Sequence, residues 1–404
     1  MTPIARLKLR HAIQSRLYRA AIIGLAPLAL LASGLPSAAE RPSPLVIARQ
    51  GYFFVGGRYF DNSVGTFMSG QMYVEFEIPA RLTKPYPIVM FAGGGQSGLN
   101  YSATADGRPG MRDFFLRRGY AVYLLDPPSR ARSPHQPEIG EMSRYFTTDT
   151  VQRRFTAPER YGLWPQARLH TQWPGRGVAG DPIFDQFFAQ VFPSLASFSK
   201  QQELNRDAGV ALLDKIGPAI LMTHSQSGVF GWLIADARPK LVKAIIAMEP
   251  SGPPVYENVA IGAPNWFKDG ELGKPYGLTS QPLIYDPPIV QASDLKFIRQ
   301  QKPDAPDLVR CWEQASPARK LANLTSISVL VIQAEASYHA SYDHCTVDYL
   351  RAAGVTTTFM RLADVGIRGN GHMLMMEKNS DGIAAVASRW LDKTMAATRL
   401  RRAQ

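Results

Sequence analysis

The chain reads as an α/β protein, with a mostly parallel central sheet, helices on both faces and an inserted segment. Short apolar runs bounded by turn residues recur along it, at 86–91, 120–125, 219–222, 244–248, 328–333 and 356–362. Stretches of helical character separate many of these runs, as a parallel sheet requires of its crossovers. Two stretches rich in aromatic and β-branched residues, 51–60 and 71–78, lead the series as an antiparallel-looking pair.

The elements follow in order. The run 86–91 ends in Gly93-Gly94-Gly95, and 100–109 is turn-like, with no helix expected before a segment at 111–118. The strand 120–125 ends at Asp126-Pro127-Pro128. Periodicity then fails from 133 to about 194, a stretch rich in Pro, Gly, Arg and aromatics. A structureless loop of that length does not suit a compact domain, so it reads as a lid with short helices of its own. Regularity returns with a helix at 199–215, the strand 219–222, a sharp turn at Ser225, a helix at 229–237 and the strand 244–248. A second irregular insertion covers about 252–320, with a helix expected within it at 294–301. The strand 328–333, a helix at 346–353, the strand 356–362 and a helix at 383–395 close the fold.

With 404 residues, 45% of them hydrophobic, there is apolar side chain enough for one large core. Residues 1–39 read as a secretory signal peptide. Arg6, Lys8, Arg10, Arg16 and Arg19 precede an apolar run at 20–31, and Ser37-Ala38-Ala39 offers a cleavage site, leaving 40–404 as the mature domain. No Cys follows for a lipid anchor, and no later stretch is long and apolar enough to cross a membrane. This places the protein in the periplasm or outside the cell. Without that segment the formal charge falls from +12 to +7. Lys and Arg are scattered apart from Arg399-Leu400-Arg401-Arg402, a pattern of solubility and not of nucleic-acid binding. The only cysteines, Cys311 and Cys345, form a candidate disulfide in an oxidising compartment, and no Cys/His cluster suggests a metal. No cofactor is indicated, and the sequence leaves the oligomeric state open, a homodimer included.

The chemistry concentrates at Thr223-His224-Ser225-Gln226-Ser227-Gly228. An apolar strand, a turn of small residues and an immediate helix form the setting of a nucleophile elbow, usually Gly-x-Ser-x-Gly. Thr223 and Ser227 replace both glycines, so the strained turn must accept two extra Cβ atoms, and His224 should point to its opposite side. Acyl transfer also needs backbone N–H donors for an oxyanion. Gln226, after the serine, supplies one, and the glycine run supplies the other through Gly94, with Gly95 close behind. A dinucleotide site would need that run to open directly into a helix, which 100–109 does not.

The chain has seven histidines: His11, His135, His170, His224, His339, His344 and His372. A base placed after the last strand, following the order Ser, acid, His, selects His372 in Gly369-Asn370-Gly371-His372. For the acid, Glu249 at the end of a buried strand competes with Glu335 and with Asp343, which sits in a polar stretch and looks solvated. Trp164, Trp173 and Trp266 are candidates for a substrate pocket, and equally for core packing.

Several segments together resemble a group of exported bacterial α/β-hydrolase-fold esterases. They are 93–100, 106–110, 118–123, His224-Ser225-Gln226-Ser227-Gly228, Glu249-Pro250 and Gly371-His372-Met373. The resemblance spans about 51–391 and implies a triad of Ser225, Glu249 and His372, with Gly94 and Gln226 as oxyanion donors. The connection from Glu249 to His372 is longer than that group needs, and Ala92 replaces the His often found before the glycine run. The expected reaction is hydrolysis of a small-molecule carboxylic ester through an acyl-enzyme. An amidase, a lactonase or an acyltransferase could use the same triad, and a non-catalytic binding protein could use the same scaffold. Dehalogenases and epoxide hydrolases would want Asp at position 225.

Overall fold

The structure, a computed structural model, describes residues 43–143 and 146–403. The 1–39 signal segment lies outside the described residues. Eight strands form the central sheet: β1 (Ile47–Asp61), β2 (Thr66–Pro79), β3 (Ile88–Phe91), β4 (Val122–Asp126), β5 (Ala219–His224), β6 (Val242–Met248), β7 (Ser328–Gln333) and β8 (Thr357–Arg361). Their spatial order is β1-β2-β4-β3-β5-β6-β7-β8. The first three pair antiparallel and the rest are parallel.

Alternation along the inner strands explains why they read as unbroken apolar runs. Ile220 and Met222 of β5 face one hydrophobic layer while Leu221 faces the other. Ile88 and Met90 of β3, and Ile246 and Met248 of β6, repeat the pattern, so each strand is apolar on both sides. Helices α1 (Met111–Arg117) and α5 (Ser380–Ala403) close one layer. Helices α2 (Phe198–Ile216), α3 (Ser227–Ala237) and α4 (Asp343–Ala352) close the other. Helix α2 begins where Ser197 Oγ accepts the Lys200 N–H at 3.1 Å and ends at Gly217, whose φ of 82° a glycine adopts readily. Among the described residues no helix is long and apolar enough to cross a membrane.

Two expectations need correction. Instead of a helix at 294–301 there is a single 3₁₀ turn, Ala292–Asp294, followed by a strand, Phe297–Arg299, paired antiparallel with Trp312–Gln314. The turn closes on itself because Asp294 accepts the N–H groups of Val290 and Gln291. In addition, a one-turn helix, Leu99–Ser102, precedes α1, started by Gly98 donating its N–H to Asp126 at 3.0 Å.

The insertion at 133–194 holds short helices at Thr148–Val151 and Pro182–Phe188, with a π turn at Gln152–Thr156 between them. The stretch 252–320 is built from small antiparallel ribbons, Tyr256–Ala260 with Phe267–Leu272 among them. Cys311 and Cys345 are bridged, tying this second stretch to α4.

Candidate active site

Strand β5 delivers Ser225 to a turn where its φ is 53°, a conformation costly for any residue with a Cβ and common at functional sites. The turn is held from both ends. Ser225 donates its N–H to Met248 O at 3.1 Å, and its carbonyl accepts from Gly228 and Ser251 at 2.9 and 2.8 Å. The two residues that break the usual elbow pattern are accommodated by their neighbours. The Thr223 methyl faces Gly231, where a Cβ would come within 3.0 Å of it. Ser227 Oγ, 2.9 Å from Phe91 O, accepts the His224 N–H at 2.9 Å and so ties the elbow to the end of β3.

His372 lies in the loop after β8, its Nδ1 2.6 Å from Glu249 Oε2. Glu249 is fully buried at the end of β6 with φ 45°. Ala334 N–H donates to its Oε1 at 2.8 Å, and Ser337 Oγ–H donates to its Oε2 at 2.7 Å. Burial, with Asp343 behind it, pushes the Glu249 pKa up against those two donors. Burial likewise drives His372 well below the usual imidazole value, helped by His224, His339 and the Arg154 charge. The ring is therefore neutral at rest and able to accept a proton.

The other two candidate acids, Glu335 and Asp343, make no hydrogen bond to His372 among the described residues. Glu335 takes Arg368 at 2.7 Å and the Gly369 N–H at 2.8 Å, anchoring the start of the histidine loop. Asp343 is not solvated as expected. It is fully buried at the start of α4 and bonds His339 Nδ1 at 2.8 Å. Desolvation raises its pKa well above its usual value, and burial likewise lowers that of His339. The His339 ring stacks on His372 at 4.8 Å with 11° between planes.

His224 does not point away. It is buried, its ring lies 4.5 Å from that of His372, and its Nε2 is 2.9 Å from the His372 carbonyl. A carbonyl only accepts, so Nε2 carries the proton. Burial takes the His224 pKa down to about 3 despite that bond. A Cβ on Gly93 would stand 2.8 Å from His224 Nδ1, so the glycine run must open with glycine there.

A cavity of about 460 Å³ opens over Ser225 and His372. Gly94 and Gln226 line it, and among the described residues neither donates its N–H to a protein acceptor. Arg130 underlies both. Its guanidinium donates to Gly93 O at 2.8 Å, Gln96 O at 3.2 Å, Gln226 Oε1 at 2.9 Å and Gln201 Oε1 at 3.1 Å. The flanking Ser129 and Ala131 both take positive φ, of 61° and 47°. The Tyr338 hydroxyl lies 3.3 Å from His372 Nε2, and burial raises its pKa to about 12, so it stays protonated.

The three tryptophans do not reach this cavity. Trp164 is buried, donating its Nε1–H to Ala336 O at 3.0 Å with its ring against Tyr338. Trp173 packs on Phe187 in the core, and Trp266 edges a separate surface depression. Phe146, Phe155 and Phe198 wall the cavity instead. Sequence reasoning also missed Arg130, Arg154, Tyr338 and the His339–Asp343 pair. Tyr338 and His339 could have been suspected from their position just after β7. Glu249, His339 and His372 bring potential metal-ligand atoms within 4.8 Å, but hydrogen bonds to Glu249 and Asp343 already engage both imidazoles.

No protein-family model matches the chain. A search of known structures finds "The Atomic Resolution Structure of a Novel Bacterial Esterase", with TM-score 0.58 and 22% identity over 87% of this chain and 98% of that one. This likeness shows the α/β-hydrolase fold. Carboxylesterase CesB (YbfK) from Bacillus subtilis aligns at TM-score 0.35 and 13% identity, over 85% of this chain and 90% of that one, too distantly to carry an argument. Among curated sequences, the "Probable secreted lipase phiG" of a fungal species (strain ATCC 74256) is 45% identical over 343 residues, 85% of this chain and 89% of that protein. At that identity and coverage, the chain belongs to the same family as this fungal protein, within the α/β-hydrolase fold.

Proposed function

We propose that the protein is an exported carboxylic ester hydrolase that works through an acyl-enzyme on Ser225. The observation that carries this reading is a serine at φ 53° sharing a cavity with a neutral histidine, whose far nitrogen lies 2.6 Å from a buried glutamate. Family membership with a protein named as a lipase supports the same reaction class.

In this mechanism His372 Nε2 takes the proton of Ser225 Oγ as the oxygen attacks the ester carbonyl. At rest Nε2 faces the Tyr338 hydroxyl, so that contact must pass to Ser225 when substrate enters. Glu249 fixes the ring with the proton on Nδ1 and offsets the imidazolium charge. The free N–H groups of Gly94 and Gln226 receive the oxyanion. Collapse of the tetrahedral adduct expels the alcohol, which takes the proton from His372. Water then attacks the acyl-enzyme by the same route, releasing the acid and restoring Ser225.

The insertion at 133–194 contributes Phe146, Thr150, Arg154 and Phe155 to the cavity wall, which supports reading it as a lid. Export rests on the basic and apolar segment at 1–39, on the bridged Cys311–Cys345 pair and on the relative's description as secreted. Mature N-terminal sequencing checks cleavage after Ala39.

The reaction is tested by labelling with a fluorophosphonate probe. The wild type should be labelled and should hydrolyse p-nitrophenyl esters, whereas Ser225→Ala should do neither, losing roughly 10⁴-fold or more in kcat/KM. An unlabelled wild type rules out the serine mechanism.

A further inference from the structure

We propose that Arg154 gives the cavity an anion-binding end, so that its preferred substrates are esters carrying a second, negatively charged group, a carboxylate. This rests on the reading of Ser225 as nucleophile and adds a substrate class to it.

Arg154 sits on the π turn Gln152–Thr156 and lines the same cavity as Ser225 and His372. Among the described residues it has no carboxylate partner. Its neighbours on the insertion do: Arg153 pairs with Asp149 at 2.8 Å, and Arg160 with Glu159 at 3.8 Å. Arg154 instead lays its guanidinium over the Tyr338 ring, with the central carbon 4.3 Å from the centroid. The Phe155 ring lies 6.0 Å away. A guanidinium held over a ring by its central carbon still has N–H donors that can grip a carboxylate in a two-pronged bond.

The other charge on the cavity wall does not cancel it. Glu257 is held at 2.5 Å by Lys274, whose side chain is fully buried, so that pair is neutral as a unit. The described wall therefore carries one uncompensated positive charge, beside the aromatic ring whose hydroxyl touches the base. The phenyl rings of Phe146, Phe155 and Phe198 supply apolar surface for the rest of the molecule. A half-ester of a dicarboxylic acid, with an apolar body between its ester and its free carboxylate, matches this combination. The Arg154 charge, after burial, His224 and His339, also helps to hold the His372 pKa down, in keeping with a guanidinium that shares the cavity.

The test compares two substrates that differ only at the distal end: p-nitrophenyl hexanoate and mono-p-nitrophenyl adipate. The wild type should favour the adipate roughly tenfold or more in kcat/KM, chiefly through KM, and 0.5 M NaCl should narrow the preference. Arg154→Gln should remove the preference, and Arg154→Glu should push it below one. Taking the ratio of the two substrates cancels any general effect on the base. Should the variants fold poorly, adipate dianion should inhibit the wild type competitively more than 1,6-hexanediol does. An adipate-to-hexanoate ratio near one in the wild type, or one that Arg154→Glu does not change, overturns the proposal while leaving the esterase reading intact. Failure of the wild type to hydrolyse either ester overturns that reading first.

Discussion

Two buried histidines, His372 and His170, each face glutamate and end in opposite charge states. His372 has one carboxylate on Nδ1, two imidazole rings against its faces at 4.5 and 4.8 Å, and a field from Arg154. Burial dominates and the ring stays neutral. His170, on the insertion, is gripped from both sides, with Nδ1 2.9 Å from Glu159 and Nε2 2.9 Å from Glu377. Burial opposes its charged form too, but the two glutamate bonds outweigh it and hold the pKa at about 9. Glu377 also accepts the Gly371 N–H at 2.8 Å and the Asn370 amide at 2.6 Å. The charged histidine thus pins the loop that carries the neutral one. Burial alone does not set protonation; the number of carboxylates within reach does. The histidine proposed as base has one, and the histidine that ties the loop has two.

Removing one carboxylate at a time, Glu249 beside His372 or Asp343 beside His339, separates what the two acids do. Glu249→Gln leaves the His372 tautomer unfixed and should cost roughly 10⁴-fold in kcat/KM. Asp343→Asn keeps a hydrogen-bonding group beside His339 and removes nothing that touches His372 Nδ1, so it should cost less than about tenfold. Both are read on p-nitrophenyl butyrate, with thermal unfolding to verify the fold. Equal losses would show that Asp343, not Glu249 alone, serves the imidazolium.

The clamp predicts a pH window. The folded pKa of His170 is raised from about 6.5 to about 9, so its stabilisation is complete below about pH 6.5 and disappears as pH rises through about 9. The linked free energy is about 3 kcal/mol. Urea midpoints of the wild type should fall between pH 7 and 10, and those of His170→Gln should be lower at pH 7 and much flatter across the range. A wild-type midpoint unchanged across that window would mean that the site holds no extra proton.

The same contrast explains what the sequence disclosed. The strands were legible because burial on both faces leaves an apolar run with no ambiguity of side, and the proposal of His372 as base could be framed from sequence because chain order and loop position single it out. The depth of Asp343 was not legible, because its polar neighbours Tyr342 and His344 are themselves buried against it and hide the signal. The helix expected at 294–301 failed because Asp294 closes the first turn locally and the following residues pair with Trp312–Gln314. Trp164 and Trp173 took the core-packing alternative, because size marks a residue for burial but not for which cavity it borders. The placing of Arg130 depends on two carbonyls of the glycine loop and on the side chains of Gln201 and Gln226, and no local pattern encodes that.

Arg130 therefore gives the smallest and most specific prediction. Its forked head holds two carbonyls of the glycine loop and the side chain of Gln226 at once, fixing the spacing between the two N–H groups assigned to the oxyanion. Arg130→Lys keeps the charge but offers one compact ammonium where two prongs are needed. If Arg130 positions the donors, kcat should fall about tenfold, worth about 1.4 kcal/mol, with KM little changed, because the oxyanion exists only after attack. If it only supports packing, the unfolding temperature should fall while kcat of the folded fraction stays at the wild-type value. Titrating active sites with the fluorophosphonate probe gives that fraction, so the two outcomes separate cleanly.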